Sequence, residues 1–178
     1  SYSKNALMRS IAFVFQTSKL FKTSIFENVK MGNKNASDEE VMNALRLARC
    51  EDILAKFPER EKTVIGSKGV HLSGGEIQRV AIARAILKNA DIIILDEASA
   101  AADPENEYEI QQAFSNLMKN KTVIMIAHRL SSIKNVDEIL VVEDGNIAES
   151  GSDAELMQKG GKYSHLQRLY SKANDWRV

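Results

Sequence analysis

The 178-residue sequence holds one cysteine, two prolines, nine glycines, one tryptophan and no excess of either charge. A lone cysteine, Cys50, forms no internal disulfide, so no disulfide framework supports the chain and a reducing, cytosolic setting fits it. Lysine plus arginine equals aspartate plus glutamate at 24 each, with no block of five or six like charges, so nothing in the charge supports nucleic-acid binding. No apolar run approaches the ~18–20 residues of a membrane span, and the opening Ser1-Tyr2-Ser3-Lys4 does not read as a signal peptide. Membrane association is therefore expected only through a partner or a segment outside these residues. Glycine and proline are too few for a long linker, and no internal repeat is visible. What is present, 44% hydrophobic residues at this length, suits one ordinary core.

The most informative stretch runs from Leu72 to Asp103. Ser73 followed by Glu76 is a capping-box pattern that puts Gly74 and Gly75 in the first turn of a helix, which continues from Ile77 to about Leu87. The N–H groups of such a turn lack intrahelical acceptors and attract anions. After a short loop, Asp91-Ile-Ile-Ile-Leu-Asp96-Glu97 reads as a buried strand. It ends in two carboxylates at the carboxyl edge, where open α/β sheets bind ligands. Ser73 and Asp96 are 23 residues apart, a phosphate-seeking helix start beside a metal-seeking strand end.

Elsewhere, Ile11 to Phe15 is a β-favouring run leading to Gln16, and Thr122 to Ala127 reads as a second buried strand, leading to His128. Ser37 and Glu40 repeat the capping box, with Val41, Leu45 and Ala48 at helical spacing. Cys50 lies within that helical pattern, and Ile53, Leu54 and Phe57 extend the apolar face to Pro58. Asp103-Pro104 starts another helix, with a core stripe of Ile110, Ala113, Phe114, Leu117 and Met118. Ile139–Val142, Asp144-Gly145 and Ile147-Ala148 predict a hairpin with a type I′ turn, and Ser152 starts a short helix. Tyr163, Leu166, Leu169 and Tyr170 continue with an apolar pattern, and Trp176 reads as packing or tail. Strands alternating with helices predict an α/β fold with a mainly parallel sheet.

These runs resemble, in order, the marks of ATP-binding cassette (ABC) ATPases. Gln16 resembles the Q-loop, Leu72-Ser-Gly-Gly-Glu76 the signature motif, usually LSGGQ, and Ile92–Glu97 the Walker B strand. Asp103 resembles the D-loop aspartate and His128 the switch histidine. Leu20–Val29 and Thr63–Gly69 resemble segments of exporter-type cassettes, the second with Ser67 where an acidic residue is usual. The 57 residues from Gln16 to Ser73 leave no room for the long coiled-coil insertion of the chromosome-maintenance and repair members.

The resemblance implies an incomplete P-loop NTPase core from residues 1–23 and 91–178, with a helical subdomain over 24–90. It implies ATP and Mg²⁺ as ligands, with Asp96 and Gln16 at the metal and Glu97 as general base. His128 would contact the γ-phosphate, and Ser73, Gly74, Gly75 and Glu76 would meet the nucleotide of a second cassette in a homo- or heterodimer. Transmembrane domains would hold the assembly at the cytoplasmic face of a membrane. No G-x-x-x-x-G-K-[ST] occurs; Gly161-Lys162 is followed by Tyr163. The chain is accordingly read as a C-terminal portion of a cassette, inactive alone. The D-loop reads Ala100-Ala-Ala-Asp103 where SALD is usual. Two further readings remain: a soluble ABC ATPase of repair or translation, and a non-catalytic interaction module.

Overall fold

The computed structural model describes residues 3–15, 18–66, 69–96, 104–127, 133 and 135–175. Its elements begin with α1 (Lys4–Ser10), β1 (Ile11–Val14), α2 (Ile25–Lys30), α3 (Asp38–Leu47), α4 (Glu51–Ala55) and a 3₁₀ turn at Arg60–Lys62. They continue with α5 (Gly74–Lys88), β2 (Ile92–Asp96), α6 (Pro104–Met118), β3 (Thr122–Ile126), β4 (Ile139–Glu143), β5 (Asn146–Gly151), α7 (Asp153–Lys159) and α8 (Lys162–Asp175). These fall into two compact units, Ser1–Ile126 and Ala127–Val178.

In the first unit β1, β2 and β3 form a parallel sheet in that order. The register aligns Ala12 with Ile93 and Val123, and Phe13 with Ile94 and Ile124. Side chains alternate along a strand, so this register sorts the sheet into two unlike faces. On one, Ala12, Val14, Ile93 and Leu95 are buried, and Val123 and Met125 pack on the same core with α5 and α6. On the other, Phe13, Ile124 and Ile126 are exposed and Ile92 and Ile94 only half-buried. The Phe13 and Phe15 rings stack there at 5.7 Å. Where the runs expected to be buried form β2 and β3, they are thus covered on one face only, because among the described residues the helices packed on this sheet share a single side.

Helix α5 is the axis of the unit, packing against α2, α3, α6 and β1. Val80, Ile82 and Ala83 are fully buried along it, and its end turns at Asn89 in the left-handed region. Arg84 donates to the backbone and side-chain oxygens of Asn28, itself buried and bonded to Phe21 N and O. Lys88 reaches back to Met8 O and Ile11 O, tying β1 to the end of α5. The capping boxes at Ser37 and Ser73 form as the sequence predicts. The apolar face from Val41 to Phe57 does not belong to one helix: the chain breaks at 48–50, with Arg49 at φ 58°. Cys50, placed within a helix by its pattern, lies in that break and is fully buried. Helix α1, started by the Ser3 hydroxyl, gave no apolar periodicity to reveal it.

In the second unit β4 and β5 form an antiparallel hairpin whose turn residues Asp144 and Gly145 have φ 47° and 76°. Both values are positive, as a type I′ turn requires. Ser152 caps α7 through a third capping box. Ile139, Leu156 and Tyr163 make the small core. Glu149 on β5 accepts the Lys162 and Tyr163 N–H groups at the start of α8.

Candidate functional site

Three parallel strands must send the chain out along one edge of their sheet, and β1, β2 and β3 end almost level. Leu95 pairs with both Val14 and Met125, and Asp96 with Ile126. Asp96 is half-buried at this carboxyl edge. Gln16, Glu97 and His128 follow their strands in sequence by two, one and two residues. Those three, and Asp103, lie outside the described residues. Among the described residues no group of three or more His, Cys, Asp or Glu is placed to hold a metal. A carboxylate at a sheet edge suits Mg²⁺ in another way, since that ion takes one or two carboxylates together with substrate phosphates.

The start of α5 is built as the capping box dictates. Ser73, extended at φ −65° and ψ 164°, accepts the Glu76 N–H through Oγ at 3.3 Å, and Glu76 Oε2 accepts the Ser73 N–H at 2.7 Å. The box satisfies the first and last donors of the turn, leaving the Gly74 and Gly75 N–H groups with no acceptor within the helix. A Cβ on Gly74 would meet nothing within 4 Å, whereas one on Gly75 would lie 3.2 Å from Ile110 Cδ1 and 3.5 Å from Asn106 Cβ. One glycine therefore opens the helix start to approach, and the other lets α6 come close.

Two ion pairs fix this turn from below. Lys56, at the end of α4, donates to Glu76 Oε1 at 2.6 Å. Burial works to raise the Glu76 carboxyl, but the bonds from Lys56 and Ser73 outweigh it and hold its pKa below the ordinary glutamate value. One turn further along, Arg79 is fully buried. Its guanidinium donates to both Asp52 oxygens at 2.7 and 2.9 Å, to Arg49 O at 2.6 Å and to Asn106 Oδ1 at 3.1 Å. Burial likewise works against the Asp52 charge, and the Arg79 cation overcomes it, so that pKa also falls. Arg49 grips Glu109 on α6 with two bonds. Burial pushes the Cys50 thiol beside this cluster up to about 12, which makes it an unreactive apolar group.

Of the residues singled out by sequence, the structure brings Ser73, Gly74, Gly75 and Glu76 into one turn. Asp96 stands at the sheet edge. Lys56, Arg79 and Asn106 were missed. The available signals were an arginine among the apolar residues of α5, and a carboxylate in its first turn with no cation of the same turn to answer it.

A family model described as "ABC transporter" matches residues 2–100. The chain is 48% identical over 167 residues to ABC transporter B family member 4 of Dictyostelium discoideum, covering 93% of this chain and 22% of that protein. It is 46% identical over 159 residues to the ATP-dependent lipid A-core flippase of Chromobacterium violaceum, covering 89% and 27%. The solved structure of a bacterial Atm1-family ABC exporter with ATP bound superimposes with a TM-score of 0.81 at 38% identity, over 93% of this chain and 29% of that one. The chain spans less than a third of the length of these relatives, and 13% of ABC transporter B family member 13 of Arabidopsis thaliana.

Proposed function

The chain belongs to the ABC transporter family, and on that premise we propose that it is part of the ATP-binding and ATP-hydrolysing domain of an exporter-type membrane transporter. Pairing of two such domains around ATP would drive transport. The observation that carries the reading is the common edge at which β1, β2 and β3 end, because Gln16, Glu97 and His128 each follow one of those ends. The relatives named for export or flipping support the exporter type. Among the described residues no helix is long and apolar enough to cross a membrane, so transmembrane domains are proposed as partners outside these residues.

Hydrolysis of ATP needs the triphosphate held, its charge offset and a water aimed in line. Asp96 and Gln16 would hold Mg²⁺, which when bound supplies charge neutralisation at the phosphates. Glu97 would accept the proton of the attacking water and His128 would meet the γ-phosphate. Ser73, Gly74 and Gly75 would receive the γ-phosphate bound to the partner domain, with Asp103 beside that interface. The arrangement suits this role, since Ser73 leaves two glycine N–H donors at an open helix start and Arg79 joins it to α6, the helix that follows Asp103.

The test is Glu97→Gln in the full-length protein. The amide keeps the side chain's shape but takes no proton, so ATP binding persists while turnover falls by about 10²-fold or more. Retention of more than about a tenth of the wild-type rate contradicts a general base.

A further inference from the structure

Glu76 stands where the family's signature usually has glutamine, which places a negative charge in the very turn assigned to a nucleotide phosphate. Taken alone, that charge would oppose the helix start's attraction for anions. The structure shows what answers it. Glu76 is only 6% exposed, and its two oxygens are divided between the Ser73 N–H and the Lys56 ammonium. The nearest cation on α5 itself, Arg79, is committed to Asp52, Arg49 O and Asn106. Lys56 comes instead from the C-terminal end of α4, twenty residues earlier in the chain. Its own side chain is 56% exposed. The pair is asymmetric, a half-exposed lysine answering a nearly buried carboxylate, so what Lys56 supplies is compensation of the Glu76 charge rather than apolar packing in the core.

We propose that Lys56 is a positioning residue of the signature turn, neutralising and holding Glu76 so that Ser73, Gly74 and Gly75 keep a net attraction for the γ-phosphate presented by a second ABC domain. This rests on the reading of that turn given above. Without Lys56 the carboxylate stays in place, bound to the Ser73 N–H, and its charge faces the incoming phosphate unopposed. Unit charges about 6–12 Å apart near a protein surface shift an equilibrium by roughly one to two orders of magnitude. The bond Lys56 makes is to Glu76, with Asp52 a lesser charge neighbour, so the two substitutions are coupled.

The experiment uses full-length protein carrying Glu97→Gln to stop turnover. It reads the ATP concentration for half-maximal pairing of the two ABC domains by energy transfer between dyes placed on each. Lys56→Met raises that concentration by about ten-fold or more in protein that remains folded at the assay temperature, and Lys56→Arg leaves it near wild type. In the Glu76→Gln background, Lys56→Met shifts it by less than about two-fold, the tolerance within which uncoupled sites add. An equal shift in both backgrounds, or no shift with Glu76 present, overturns the proposal. Ser73→Arg serves as the control on the underlying reading. If it abolishes pairing while Lys56→Met does nothing, the role of Lys56 alone is wrong. If pairing survives Ser73→Arg, the assignment of the helix start fails and the role of Lys56 falls with it.

Discussion

Arg79 concentrates the residue-scale energetics of the first unit. A fully buried guanidinium is tolerated only because its donors are taken up, and Nε is the one position without a partner. Asp52 supplies the compensating charge from α4, and the pair is asymmetric, with the Asp52 side chain 51% exposed. Losing a charged acceptor while the buried cation stays costs more than the pair contributes. We therefore expect Asp52→Asn to destabilise the protein by about 2 kcal/mol at neutral pH, discounted for the exposure of the aspartate. The pH dependence follows from the sign of the shift. The Asp52 pKa is depressed in the folded state, so its stabilisation is complete above the unfolded aspartate value and is lost as pH falls through the lower folded one. Urea midpoints measured from pH 7 down to pH 3 should show wild type and Asp52→Asn converging at the acid end. Parallel curves over that range would show that the Arg79 pair does not stabilise through the aspartate charge.

At the scale of elements, what the sequence disclosed and what it hid divide along a physical line. The capping boxes at Ser37 and Ser73, the type I′ turn and the apolar stripe of α6 depend on residues within one or two turns of each other, and all formed as read. The break between α3 and α4 was hidden because Cys50, Ile53 and Leu54 bury in the same core as Val41 and Leu45. The apolar period survives while the helix does not. The ion pairs at the start of α5 span 20 and 27 residues, and no local pattern encodes such a partner. Gly32, just after α2, is a comparable case. A Cβ there would collide with the Arg84 carbonyl oxygen and come within 3.3 Å of Lys88 N, both backbone atoms of α5. Backbone cannot give way as a side-chain tip can, so Gly32→Ala must part α2 from α5. We expect a loss of about 1–3 kcal/mol, the usual range for overpacking. Gly74→Ala, pointing into open space, serves as comparison, and equal denaturation midpoints for the two variants would refute the close approach.

For the whole molecule, the unequal faces of the sheet matter most. Parallel sheets are ordinarily covered on both sides, yet here Phe13, Phe15, Ile124 and Ile126 are each at least 40% exposed on the face away from α5 and α6. Covering a large apolar side chain that stands in water is worth roughly 1.5–3 kcal/mol, so this surface favours association when the 178 residues are studied alone. Size-exclusion chromatography across a dilution series should show the isolated chain larger than a monomer at its upper concentrations. The double substitution Phe13→Thr with Ile124→Thr, which keeps β-favouring residues, should return it towards monomer. A wild-type chain that stays monomeric throughout would contradict this.

The order of strands along the chain also governs how the sheet can assemble. Ile92 meets Thr122 across 30 residues containing α6, whereas Ile11 meets Ile92 across 81 residues containing α2 to α5. For flexible loops the closure penalty grows as (3/2)RT ln n, so the β1 pairing is costlier by roughly 0.9 kcal/mol. Chain statistics thus favour β2 and β3 closing first around α6, with β1 joining a surface already made. The carboxyl end of β1, which Gln16 follows in sequence, would then be the last of the three strand ends to find its place during folding.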